Sequence, residues 1–166
     1  MKSLKFLFLV LGLVPFFLNA QNLKETASFY PQETAVNDVN WSFLEVPENW
    51  DQPSGKKIKL AVAVLKRTGD STDPNPMVYI EGGPGAAGIS TMWYFYNHPI
   101  RENHDLVFVD LRGTGFSEPR LCPDLGKKFF EILAKDQSPA EDEAEKALAA
   151  LACKQDLVGR DIDVRA

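Results

Sequence analysis

Two stretches of this chain run an apolar segment straight into closely spaced glycines: Met77-Val-Tyr-Ile-Glu-Gly-Gly-Pro-Gly85 and Leu106-Val-Phe-Val-Asp-Leu-Arg-Gly-Thr-Gly-Phe-Ser117. Short unbroken apolar runs ending in turn residues are the pattern of parallel strands covered on both faces. A strand that ends in consecutive glycines can turn its backbone N–H groups outward, where they can stabilise a developing oxyanion. The same chain offers no G-x-S-x-G elbow to supply a nucleophile for them.

The rest of the sequence narrows the class. With 166 residues, a net charge of −5 and 45% hydrophobic residues, the chain has an ordinary globular composition and no basic excess that would seek nucleic acid. One domain is the most it can hold. Residues 1–20 have the form of a signal peptide: Lys2 and Lys5 precede an apolar run over 6–18, and Asn19-Ala20 offers a small residue for cleavage. That 13-residue stretch, interrupted by Pro15, falls short of the roughly 20 apolar residues that span a bilayer, so no stable membrane anchor is expected. Export to the periplasm or beyond is the expectation, and outside the cytoplasm Cys122 and Cys153 can pair, with two free thiols as the alternative. Two cysteines and two scattered histidines make a poor metal set, and neither a metal nor a cofactor is expected.

Along the chain, residues 21–40 are polar and without periodicity and read as a flexible lead-in, with the domain proper over 41–166. A short strand is expected over 43–47, a turn over 49–55, and an alternating strand over 57–67. In that strand Ile58, Leu60, Val62 and Val64 form one side, and Lys57, Lys59, Ala61 and Ala63 form a wet one. Strands over 77–80 and 106–109 follow. Ser138-Pro-Ala-Glu141 is a capping box with proline at the first helical position, predicting a helix over 139–157 with an apolar stripe of Ala144, Leu148, Leu151 and Ala152. The acidic run 141–145 suits the first turns of that helix.

Gly82-Gly83-Pro84-Gly85 after one strand, Asp110-Leu-Arg112-Gly113-Thr-Gly115-Phe-Ser117 after the next, and the later cysteine pair together resemble the α/β-hydrolase fold. Within that fold they are most similar to the secreted proline iminopeptidase and tripeptidyl aminopeptidase group of serine peptidases. The resemblance runs from about residue 41 to the end and covers the N-terminal part of such a sheet: an antiparallel opening hairpin, then parallel strands. It implies that the loop over 81–85 gives one oxyanion donor, Gly83 first and Gly82 second, since Pro84 has no N–H. It also implies a substrate peptide with a free N-terminus. The family often carries histidine before the two glycines; here it is Glu81.

Other residues carry blander expectations. Asp110 and Arg112 can pair across a turn that Gly113 and Gly115 permit, with Ser117 bonding locally. Ser117 lacks the final glycine of an elbow and comes too early in the order, and Ser90 fails the same test. His98 and His104 precede any possible elbow, whereas the triad histidine of this fold comes last, so both are expected on the surface. Trp93, Tyr94, Phe95 and Tyr96 read as helix packing. The resemblance implies a larger sheet and a lid than this chain can supply, so it reads as an inactive fragment of an exported aminopeptidase. A non-catalytic binding module and an esterase or lipase are the alternatives. A half-sheet would leave an apolar edge open to pairing with another chain.

Overall fold

The computed structural model describes residues 23–30, 37–72, 75–83 and 85–164; the expected signal peptide lies outside them. A mixed five-stranded sheet is flanked by helices, with strands β1 (Leu23–Glu25), β2 (Val39–Pro47), β3 (Lys57–Leu65), β4 (Met77–Tyr79) and β5 (Leu106–Val109) in the order β1-β2-β3-β5-β4. Helix α1 (Gly88–Phe95) and a 3₁₀ turn (Pro99–Glu102) link β4 to β5, and α2 (Leu125–Leu133) and α3 (Pro139–Gly159) follow.

The opening hairpin owes its register to its turn. Asn49 accepts the Asp51 N–H on its side-chain oxygen at 2.8 Å and the Gln52 N–H on its carbonyl at 3.0 Å, while the Glu48 N–H reaches Lys56 C=O at 2.8 Å. This pairs β2 with β3 antiparallel from Val39↔Leu65 to Pro47↔Lys57. β3 then pairs antiparallel with β5, and β5 parallel with β4 through Met77↔Leu106 to Tyr79↔Phe108. A parallel pair requires a crossover, which α1 supplies.

The core lies under α1, where Ile89 and Met92 meet Trp41, Ala61, Ala63, Leu65, Leu106 and Phe108. This corrects the expected wet face of β3: Ala61 and Ala63 are fully buried, because their small side chains sit where α1 lies over the sheet, and only Lys57 and Lys59 stay wet. β4 departs in the other direction. Met77, Val78 and Ile80 are exposed, because β5 is its only strand neighbour among the described residues.

The lead-in is also partly ordered. Leu23–Glu25 adds a strand to β2, and Phe29 stacks on Phe116 with ring centroids 5.0 Å apart and meets Trp41 edge-on. Three strand residues and two aromatics are too short a signal to show periodicity. In α3 the capping box forms as Ser138 and Glu141 exchange hydrogen bonds, yet the expected stripe faces outward: Leu148 and Leu151 are exposed and Leu157 is buried. Cys153 is joined to Cys122, with Cα atoms 5.8 Å apart, and this linkage selects the face of α3 that turns inward.

Candidate functional site

Both glycine turns leave the carboxyl ends of the adjacent parallel strands β4 and β5, the end at which open α/β sheets bind their ligands. After β4 the backbone passes through Gly83 in the left-handed region, φ +59°, which glycine adopts without the penalty a Cβ would bring. Gly82 and Gly83 are exposed, and a Cβ at either would meet nothing within 4 Å. The two amides differ. Gly82 N–H donates to Glu81 Oε1 at 3.1 Å, while Gly83 N–H has no acceptor among the described residues and Gly83 C=O takes the Ala86 N–H at 3.1 Å. Of the two expected donors, Gly82 is therefore occupied and Gly83 is open.

Behind this turn stands Asp110, fully buried just past β5. Its carboxylate accepts the Ile89 N–H at 2.8 Å and the Phe116 N–H at 2.9 Å. Ala87, at the N-cap of α1, has no side chain that can cap, so Asp110 satisfies the helix's first donors from across the sheet. Burial pushes the Asp110 carboxyl above the usual aspartate range, and the N–H groups of Ile89, Phe116 and Gly88 pull against that. Gly115 lets the chain wrap this carboxylate: its φ is +48°, and a Cβ there would lie 2.0 Å from Asp110 Oδ2.

Ser117 is fully buried as well. Its hydroxyl donates to Asp110 C=O at 2.6 Å and accepts from Ala61 N–H at 2.8 Å, so it fills one rung of the ladder between β3 and the turn. An oxygen held this way has no path to a substrate carbonyl. Arg112 does not pair with Asp110; its guanidinium donates to Glu48 C=O at 2.6 Å and ties the second turn to the end of β2. The backbone amides already satisfy Asp110, which leaves the guanidinium free to go elsewhere. Gly113, at φ +81°, lies against Leu121.

The histidines lie elsewhere. His98 is exposed and caps the 3₁₀ turn by accepting the Ile100 N–H at 3.2 Å. His104 contacts Asn75 C=O at 3.2 Å, next to the start of β4 and β5 and so at the opposite end of the sheet from the glycines. Ser90 donates to Ala87 C=O. In the aromatic run, Phe95 packs on Tyr79 and Phe108, and Trp93 meets Tyr30 edge-on, while Tyr94 projects into solvent. No group of three or more potential metal ligands occurs among the described residues. No helix among them is long and apolar enough to cross a membrane.

Sequence reasoning did not find two features of the site: the capping of α1 by Asp110 and the bonding of Glu81. Glu81 accepts hydrogen bonds from Tyr79, Gly82 and Thr91. A carboxylate directly after an apolar strand and next to glycines was the available signal.

No protein-family model matches the chain. It is 28% identical over 124 residues to a tripeptidyl aminopeptidase of Streptomyces lividans, covering 69% of this chain and 22% of that protein. It is 29% identical over 105 residues to carboxylesterase B of Mycobacterium tuberculosis, covering 61% of this chain and 20% of the relative. Over 81 residues it is 36% identical to serine protease Hip1 of the same organism, covering 47% and 15%. The chain spans about a fifth of the length of the first of these relatives, at 22%. What the fold and these similarities jointly support is a distant kinship with hydrolases of the α/β-hydrolase type.

Proposed function

We propose that this chain is the N-terminal part of an exported serine aminopeptidase that removes short N-terminal units from peptides. The observation that carries this reading is the open amide of Gly83, set by a left-handed turn at the carboxyl end of β4. In the complete enzyme a serine outside these residues attacks the scissile carbonyl and a histidine takes its proton. The oxyanion that forms is held by Gly83 N–H and by the N–H after the nucleophile. One such donor contributes on the order of 10²- to 10³-fold in kcat. The disulfide is consistent with an oxidising compartment. The substrate is a peptide with a free N-terminus, by analogy with the tripeptidyl aminopeptidase match.

By this reading the 166 residues alone carry no hydrolase activity. A fluorophosphonate probe should leave the chain unlabelled, and labelling abolished by Ser117→Ala would overturn the assignment. An ester hydrolase is the second reading, favoured by the carboxylesterase match. The longer translation product separates the two: release of p-nitroaniline from aminoacyl or tripeptidyl anilides, blocked by N-acetylation, supports the aminopeptidase. Turnover of p-nitrophenyl esters alone supports the esterase.

A further inference from the structure

Glu81 is half-buried between the end of β4 and the glycine turn, and its carboxylate gathers three donors from three parts of the fold. Oε1 accepts the Gly82 N–H at 3.1 Å. Oε2 accepts the Tyr79 hydroxyl at 3.2 Å, from the last residue of β4, and the Thr91 hydroxyl, one turn into α1. Hydrogen bonds to an ionised carboxylate are roughly twice as strong as neutral ones. The Thr91 bond, above all, holds the Glu81 carboxyl below the usual glutamate range, with Gly82 N–H and Tyr79 adding to it. α1 is itself anchored by Asp110 through Ile89 N–H, so Glu81 moors a loose glycine pair to a fixed helix.

Two adjacent glycines sample more backbone conformations than any other pair, and a donor that must be found among them costs entropy when the oxyanion forms. Bonding Gly82 N–H inward removes one amide from competition and sets the peptide plane that leads into Gly83. We propose that Glu81 is a positioning residue for the oxyanion turn, holding Gly82 inward so that Gly83 N–H alone faces the reacting carbonyl. The inference rests on Gly83 being the oxyanion donor.

The test reads amide hydrogen exchange at Gly82 and Gly83 by NMR on the 166-residue chain, beside its melting temperature. Gly82 should exchange more slowly than Gly83. Glu81→Ala should accelerate Gly82 by roughly five- to tenfold, the value of one hydrogen bond, with little change in melting temperature. Glu81→Gln should restore protection, since its carbonyl oxygen still accepts. Thr91→Val should accelerate Gly82 less than Glu81→Ala does.

Equal exchange of the two glycines in the unaltered chain would overturn the proposal. So would Gly82 protection that survives Glu81→Ala, or a global loss of protection in both Glu81→Ala and Thr91→Val. This readout needs no nucleophile. A failed Glu81 result is therefore distinct from a failed hydrolase reading, which fluorophosphonate labelling and the downstream sequence decide.

Discussion

Asp110, Gly115 and Ser117 form one unit, and each has a measurable consequence. Gly115→Ala places a methyl group against Asp110 Oδ2 in a left-handed backbone, so it should cost at least about 2 kcal/mol and lower the thermal midpoint in calorimetry. Gly82→Ala, with open space around its Cβ, is the matched control and should be nearly neutral. Asp110→Asn keeps the shape but turns an N–H₂ toward Ile89 or Phe116 N–H, and should cost about 1–3 kcal/mol by stranding a donor.

Asp105 bears on acid stability. The Arg67 N–H at 2.9 Å, with Lys66 nearby, holds its carboxyl below the usual aspartate range. A depressed carboxyl contributes stability above its unfolded pKa of about 3.9 that is lost as pH falls through its folded value. Asp105→Asn should therefore flatten the loss of melting temperature below about pH 4 while leaving the neutral-pH slope unchanged. Asp110 is shifted the opposite way. Its raised carboxyl favours the fold most at low pH and less as pH rises through its folded value, so it offsets part of the acid loss. The need for glycine near Asp110 was legible in the sequence, but its partner Ile89 was not, because no local pattern marks a bond across 21 residues.

At the level of elements, the strands after the lead-in and the α3 cap were legible because they rest on local signals: apolar runs, turn residues and a capping box. Which face each element turns inward was not. Alternation in β3 could not show that α1 covers the alanine side, and the helical stripe of α3 was outweighed by the Cys122–Cys153 linkage. That linkage closes a separation of 31 residues, which corresponds to about 3–4 kcal/mol in the loop-entropy model. Its bridged residues lie just before α2 and within α3, so the Cys122→Ser, Cys153→Ser double variant should raise hydrogen exchange in α2 and α3. Protection of β3 and β5 should be preserved. Uniform loss across the sheet would contradict this division.

At the scale of the molecule, β4 and the residue after it present the apolar side chains Met77, Val78 and Ile80 to solvent, the kind of edge that pairs with another strand. Sedimentation should show concentration-dependent association that Val78→Lys weakens, and a monomer at all concentrations would contradict it. On the aminopeptidase proposal, Gly83 N–H serves a serine encoded beyond Ala166. The most direct measurement is the sequence of the coding DNA and its transcript for several hundred bases past the Ala166 codon. The frame should continue, or resume after a shift, into a strand followed by G-x-S-x-G and later an acid and a histidine. A stop codon with no such sequence behind it would contradict that proposal and leave the glycine turn without a nucleophile to serve.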